Sequence, residues 1–308
     1  MSTATFRLLY LGPAAVLAAS AALVVGGAAA APQQFPLSLK AANGTVVLDE
    51  RPTRIVSLSP SATQDLFAVG AGGQVVAVDS DSTYPPQAPL TKLSAYTPNA
   101  EAIEKYQPDL VVVGFDEDHI VAQLRSLHIP VLLEPAVANL DGVYGEIIQI
   151  GEATAHTQAA RRVVSNMKRQ VAVIVRSVGR PAKPLTVYHE LDQTYYSATS
   201  HTFIGQMYKV LGLQNIADKA GGSNQYPQLS AEYIIASDPD LIVLADTVCC
   251  KQSAATVAAR PGWNTIAAVK DGGVVPVNDS VASQWGPRIV LFLKTVADAV
   301  RRVERASK

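Results

Sequence analysis

Tyrosines in loops and a pair of matched glutamates carry most of the chemistry this sequence offers. Five of the eleven tyrosines, Tyr84, Tyr96, Tyr195, Tyr196 and Tyr226, fall in polar loops, and Phe115 and Trp285 have similar settings. A tyrosine ring joins a flat apolar face to a hydroxyl donor, which suits a large ligand with a polar periphery. The plainer alternative is that such rings pack over a sheet edge. Arg288 is the one strong cation expected near these loops, as a ligand contact or as a cap on a sheet. A polyanionic ligand would ask for several such groups, so their scarcity favours a bulky, near-neutral one. Glu101 and Glu232 occupy one register of a repeat. A lone glutamate in the first turn of a helix stabilises the dipole by about 0.3–1 kcal/mol; two of them related by duplication suit a two-fold partner. Nucleophile elbows, phosphate loops, dinucleotide fingerprints and H-E-x-x-H are absent from the sequence. The histidines His119, His128, His156, His189 and His201 form no HxxxH or HxH pair, so no side-chain metal centre is expected. Glu190 and Asp192 read as acids of a polar loop, and Ser59 and Ser61 stand at a strand end.

The elements that must position these residues come in two sets. Asn99-Ala-Glu101-Ala-Ile103, followed by Pro108-Asp109 and Leu110–Val113, returns as Ser230-Ala-Glu232-Tyr-Ile234, Pro239-Asp240 and Leu241–Leu244, offset by 131 positions without a gap. Each copy reads as an N-cap, a short helix and a buried parallel strand. Around them strands are expected at 54–58, 75–78, 130–133, 185–188 and 274–277, alternating with helices, and an N-terminal hairpin turns at Asn43-Gly44. A helix over 141–150 should end near Gly151. From Thr157 to Val178 apolar residues recur every three or four positions, predicting one helix roughly 33 Å long. The ligand site should lie where strands end, in a cleft between two lobes.

The first 31 residues hold one charge, Arg7, a long apolar run and an alanine-rich exit, the pattern of an export signal. They contain no cysteine, so a lipid anchor there is not expected. The only cysteines, Cys249 and Cys250, are adjacent; they can pair with each other or stay as small buried thiols. A net charge of -1 with 48% hydrophobic and 17% charged residues fits a globular chain with no general attraction to nucleic acid.

Taken in order, Arg54-Ile-Val-Ser-Leu-Ser-Pro-Ser-Ala-Thr63, Tyr84-Pro-Pro-Gln-Ala88, the two repeat units, Gly205, Gly212, Asn215, Tyr226-Pro-Gln-Leu-Ser230, Arg260-Pro-Gly-Trp263 and Gly286-Pro-Arg288 resemble the solute-binding proteins of ABC importers. The class resembled captures cobalamin, ferric siderophores and haem. The resemblance implies an α/β fold of two Rossmann-like lobes with mostly parallel sheets, joined by a single long rigid helix, as in class III periplasmic binding proteins and chelatases. It divides the chain into a signal (1–31), an N-terminal lobe (32–151), a linking helix (152–180) and a C-terminal lobe (181–308). It implies a non-enzymatic, monomeric, exported protein, periplasmic or on the extracellular face, without a cofactor of its own; the cysteine-free leader adds the expectation that it is not a lipoprotein. Its ligand would be a corrinoid such as cobalamin or a ferric siderophore. Haem, with His189, His201 or Tyr195 as axial ligand, and a chelatase-like enzyme are the alternatives. Glu101 and Glu232 would dock onto arginines of a dimeric ABC permease. Tyr84, Tyr96, Phe115, Tyr195, Tyr196, Tyr226, Trp285 and Arg288 would meet the ligand. Tyr84, Tyr96 and Tyr226 stand where aromatic residues cup the corrin in cobalamin binders, two of those positions being typically tryptophan there.

Overall fold

The computed structural model describes residues 33–179 and 183–306, so the expected export segment lies outside them. A hairpin, β1 (Leu37–Ala41) and β2 (Gly44–Leu48), comes first. β3 (Ile55–Leu58), α1 (Pro60–Ala68), β4 (Val75–Val78), α2 (Ala100–Glu104), β5 (Leu110–Val113), α3 (Ile120–Ser126) and β6 (Val131–Leu133) build the N-terminal lobe. α4 (Leu140–Ala153) and α5 (Thr157–Val178) follow. The C-terminal lobe holds β7 (Thr186–Glu190), α6 (Phe203–Val210), β8 (Gln214–Asn215), α7 (Ala217–Gly221), α8 (Ala231–Ser237), β9 (Leu241–Leu244), α9 (Ala254–Ala258), α10 (Ala267–Lys270), β10 (Val274–Pro276), α11 (Asp279–Ser283) and α12 (Ile289–Ala306).

Both four-stranded sheets are parallel, in the orders β4-β3-β5-β6 and β8-β7-β9-β10. Counted within its own lobe, each sheet therefore reads 2-1-3-4. The sequence repeat is the most legible part of a duplication that spans a whole sheet. The Pro-Asp step of the repeat does the same work in each lobe. Asp109 Oδ2 accepts from the Thr53 backbone N–H (2.7 Å) and hydroxyl (2.8 Å), and its Oδ1 from the Arg54 N–H. Asp240 Oδ2 accepts from the Thr186 N–H (2.7 Å) and hydroxyl (2.8 Å). Each aspartate thus ties the start of the third strand to the start of the first.

Strand alternation decides how the lobes share a core. Ile55, Leu110, Val112 and Leu132 face one way, and so do Val187, Leu241, Val243 and Val275; all belong to one apolar cluster with Val164, Met167, Val171 and Ile174 of α5. Val56, Leu58, Val111 and Val113 face a separate outer cluster, and Tyr188, Ile242 and Leu244 another. α5 packs on α4 and on α12, so the linking helix is a wall of the common core rather than a bare strut. Each of its buried aliphatic side chains contributes about 1.5–3 kcal/mol.

Two sequence expectations shift. α4 runs through Gly151 to Ala153, so a boundary at 151 falls inside a helix. Gly151 does not stop that helix; a Cβ there would collide with Ala160 Cβ of α5, and its absence lets the two helices approach. β7 runs to Glu190, two residues beyond the expected strand, with His189 opposite Val243 and Glu190 opposite Leu244.

Candidate functional site

A five-residue strap, Gln284–Arg288, leaves α11 at Ser283 and crosses to α12, and the N-terminal lobe faces it. Three adjoining depressions open on this strap. The first, about 310 Å³, has Gln64, Phe67 and Tyr84 opposite Pro287 and Arg288. The second, about 240 Å³, has Ser59, Ser61, Tyr96 and Phe115 opposite Gln284 and Trp285. The third, about 270 Å³, has Val137, His201, Phe203 and Tyr226 opposite Ser283 and Trp285. Ser283 and Trp285 are common to the second and third, which form one cleft, and the first lies next along the strap, at Pro287 and Arg288. The cleft opens at the carboxyl ends of β3 and β5, where parallel sheets present their ligand sites.

Several hydroxyls of the N-terminal rim are engaged within the rim itself. Ser59 caps α1, its hydroxyl accepting from the Ala62 N–H at 3.3 Å. Behind it the Thr63 hydroxyl meets those of Ser57 (2.9 Å) and Ser82 (3.0 Å), and Asp79 accepts from the Ser82 N–H at 2.8 Å. Ser59 and Ser61 are accordingly buried, and little of either is left to reach a ligand.

The aromatic residues divide into two groups. Tyr84, Tyr96, Phe115 and Tyr226 are 43%, 67%, 37% and 46% exposed on the cleft walls, and Tyr96 and Phe115 touch at 5.4 Å between ring centroids. Trp285 is half-buried in the floor. Tyr195 does not join them. Its backbone turns at φ 71°, and its ring packs on Trp263 (5.5 Å) and Arg260 (5.5 Å) inside the C-terminal lobe. Tyr196 is exposed beside Gln228, but lines none of the three depressions.

Arg288 reaches the cleft wall and its own lobe at once, although its partner there is a helix residue and not a sheet edge. Its guanidinium lies 4.1 Å from the Tyr84 ring centroid, and Nη2 donates to the Ser280 hydroxyl at 3.1 Å. Burial draws its pKa below the ordinary guanidinium value. Among the described residues lining the depressions it is the only lysine or arginine.

The longer β7 removes two residues from the expected cleft mouth. His189 is fully buried and its Nδ1 lies 2.6 Å from the Tyr208 hydroxyl; burial pushes its pKa down to about 3, so it is a neutral core residue. Glu190 is not a solvated loop acid. It forms a bidentate pair with Arg260 at 2.6 Å on both oxygens, on the outer face of the sheet. Asp246 is buried beside this pair, its pKa pushed to about 7 by burial first and by the charge of Glu190 second. His201, by contrast, is exposed in the third depression.

Cys249 and Cys250 are joined to each other by a disulfide in the loop after β9. Asp279 of α11 holds that loop, accepting from the Val248 (2.9 Å) and Cys249 (2.8 Å) N–H groups. The pair lines none of the three depressions. Glu101 and Glu232 are exposed in the first turns of α2 and α8. Asn99 and Ser230 cap these helices, accepting from the Ala102 (2.8 Å) and Tyr233 (3.1 Å) N–H groups. A helix that leads into a parallel strand starts at the carboxyl edge of the sheet, so both glutamates stand on the cleft side of their lobes. Hydrogen bonds from its own helix terminus and from Ser230 hold Glu232 below the usual carboxylate range.

Sequence reasoning missed Gln64, Phe67 and Val137 as cleft residues. It also missed a cluster of buried acids, Asp65, Glu134 and Glu146, behind the strap. No spacing signals that cluster, because its members come from three unrelated elements.

Residues 55–280 match the family model described as Periplasmic binding protein. The chain belongs to that family. Among relatives of this binding protein, the Cobalamin-binding protein of Halobacterium salinarum is 35% identical over 269 residues, covering 84% of this chain and 72% of its own. The Uncharacterized ABC transporter substrate-binding lipoprotein YvrC of Bacillus subtilis is 30% identical over 276 residues, covering 86% of each. Among solved structures, the Periplasmic heme-binding protein RhuT of Roseiflexus sp. RS-1 has a TM-score of 0.69 at 25% identity, covering 83% of this chain and 99% of its own. The family is one of exported solute-binding proteins rather than enzymes, and the chelatase-like alternative is set aside. Among the described residues no helix is long and apolar enough to cross a membrane.

Proposed function

We propose that this binding protein captures a corrinoid, with cobalamin as the leading candidate, and delivers it to a dimeric ABC permease. The row of aromatic side chains along the strap, with a single cation among them, carries the reading. Tyr84, Tyr96, Phe115, Tyr226 and Trp285 offer flat apolar faces across three adjoining depressions, and Arg288 supplies one directed donor for a polar substituent. Such a surface fits a large, near-neutral, disc-like chelate better than a polyanion, which would need several guanidinium or ammonium groups. The relatedness to a cobalamin-binding protein at 35% identity supports the same ligand class. Haem is the second reading. His201 is exposed at one end of the cleft, where an imidazole could serve as an axial ligand, and a structural relative is named as haem-binding.

Glu101 and Glu232 are the proposed permease contacts. Carboxylate–guanidinium pairs are bidentate and directional, so one acid per lobe would orient the encounter. The protein is proposed to act as a monomer. Segment 1–31 is proposed as a cleaved export signal and, lacking cysteine, not as a lipid-anchored leader like that of the B. subtilis relative's namesake class.

The test is equilibrium binding of cyanocobalamin, haemin and a neutral ferric siderophore to the purified protein, read by visible spectra and calorimetry. Tight 1:1 binding of cyanocobalamin, lost in the Tyr84→Ala/Trp285→Ala double variant, is expected. Preferential binding of haemin, abolished by His201→Ala, would replace the first reading with the second. Charge reversal at Glu101 or Glu232 should leave binding intact while uptake falls. A loss of ligand affinity instead would remove the docking assignment.

A further inference from the structure

Arg288 enters the first depression as a long side chain on a fixed backbone. Its carbonyl accepts from the Leu291 N–H at 2.8 Å, and the Gly286 carbonyl accepts from the Ile289 N–H at 3.0 Å, so the chain here is already turning into α12. Freedom is left in the side chain, whose many rotamers must be restricted before the guanidinium can face a ligand. Among the described residues no carboxylate forms an ion pair with it, so no opposite charge sets its direction. Two neighbours do. The Tyr84 ring of the N-terminal lobe lies 4.1 Å away at its centroid, and the Ser280 hydroxyl of α11 lies 3.1 Å from Nη2.

Toward Arg288 the Ser280 hydroxyl can act only as an acceptor, because a guanidinium has donors and nothing else. Its single proton is committed elsewhere, to Asn278 Oδ1 at 2.7 Å. The Ser280 backbone N–H donates to the same atom at 3.1 Å, which fixes that atom as the amide oxygen. Donation to Asn278 polarises the hydroxyl and strengthens it as an acceptor for the cation. The base of this relay is itself held. Asn278 caps α11, and the adjacent Asp279 accepts from the Val248 (2.9 Å) and Cys249 (2.8 Å) N–H groups of the loop after β9.

We propose that Ser280 is the positioning residue for Arg288, and that the Asn278–Ser280 relay holds the guanidinium on the Tyr84 ring and so sets both groups for a ligand. Tyr84 is 43% exposed, so much of its ring stays open to the first depression with Arg288 packed on it. Contacts ordered in advance bind more tightly, because their ordering is complete before the ligand arrives. The effect on ligand affinity rests on the reading of the cleft as the ligand site; the placement of Arg288 on Tyr84 does not.

The bond that caps α11 comes from the Ser280 backbone, so Ser280→Ala removes the relay and leaves the cap. In protein carrying ¹³C-labelled tyrosine rings, the Tyr84 signal is the one lost in Tyr84→Phe. Arg288→Met should move that signal, and Ser280→Ala should move it in the same direction by at least about half as much. Binding of cyanocobalamin or haemin should weaken about tenfold in Arg288→Met and about fivefold in Ser280→Ala. Added to Arg288→Met, Ser280→Ala should change affinity by less than about 1.5-fold and leave the Tyr84 signal where it was, since no guanidinium remains to be positioned. Ser280→Thr keeps the hydroxyl and should recover the wild-type Tyr84 signal, whereas the isosteric Ser280→Val should match Ser280→Ala. A Tyr84 signal left in place by Arg288→Met or by Ser280→Ala, identical behaviour of the Thr and Val variants, or an undiminished Ser280→Ala effect without Arg288 overturns the assignment. If Ser280→Ala fails to fold, the Thr and Val pair decides. If the wild type binds neither probe, the ligand reading fails, and the Tyr84 signal still judges the positioning.

Discussion

Removing the Arg260 guanidinium should cost this protein more than almost any other single polar change. Arg260 and Glu190 meet through two 2.6 Å hydrogen bonds, Glu190 is wholly buried, and only 12% of the arginine side chain is exposed. The guanidinium also bonds Gln252 at 2.7 Å and stacks 4.5 Å from the Trp263 ring centroid. Arg260→Met keeps the apolar stem against Trp263 but strands Glu190 beside a second buried acid, Asp246. Breaking one side of a buried pair costs about 3–5 kcal/mol, and the stacking adds up to about 1 kcal/mol. A loss of roughly 4 kcal/mol in urea unfolding at neutral pH is expected, with little change in m-value. Most of the loss comes from the stranded carboxylate rather than the missing attraction. The double variant Arg260→Met/Glu190→Leu should therefore recover at least about half of it. A loss below about 1 kcal/mol, or a double variant no better than the single, would refute this reasoning.

The acid cluster makes stability fall as pH rises. Folded-state values of about 9 for Glu134 and about 8 for Glu146 stand above the unfolded value of 4.5, so the folded state holds extra protons in between. Their contribution is full below about pH 4.5 and is lost as pH rises through about 8 to 9; a melting temperature that rises from pH 6 to pH 9 would contradict it, and Glu134→Gln should flatten the slope. Asp109→Ala and Asp240→Ala should each lose about 1–2 kcal/mol in urea unfolding, Asp240 costing more because its bonds are part-buried where those of Asp109 are exposed, and the two losses should add because they lie in separate lobes. Gly151→Ala forces α4 away from α5 and should destabilise by about 1–3 kcal/mol, with Ala160→Gly restoring part of the loss; an unchanged melting temperature would show that the helices can yield.

Legibility followed locality. α5 was expected at Thr157–Val178 and occupies those residues, because an apolar stripe every three to four positions needs no tertiary information. The repeat announced two matched helix–strand units through its caps and Pro-Asp steps, which are local capping chemistry. Strand ends were less legible. His189 and Glu190 look polar enough to leave a strand, yet partners from other elements, Tyr208 and Arg260, make their burial favourable. Gly151 followed the same logic, resembling a helix stop until the neighbouring helix showed why a side chain is excluded.

From the chain alone came the duplicated α/β plan, the linking helix, an expected cleft edged with aromatic residues and one acid per lobe on its rim. Periodicity, capping and strand alternation act over a few residues, and the sequence records them directly. Tertiary structure alone decided which tyrosines face the cleft, that Tyr195 turns inward, and that the two sheets back onto one shared core. It also gathered the buried acids Asp65, Glu134 and Glu146 behind the strap. Those outcomes depend on residues far apart in the chain meeting across a low-dielectric interior, where a missing partner or an extra charge changes which side chains can be buried.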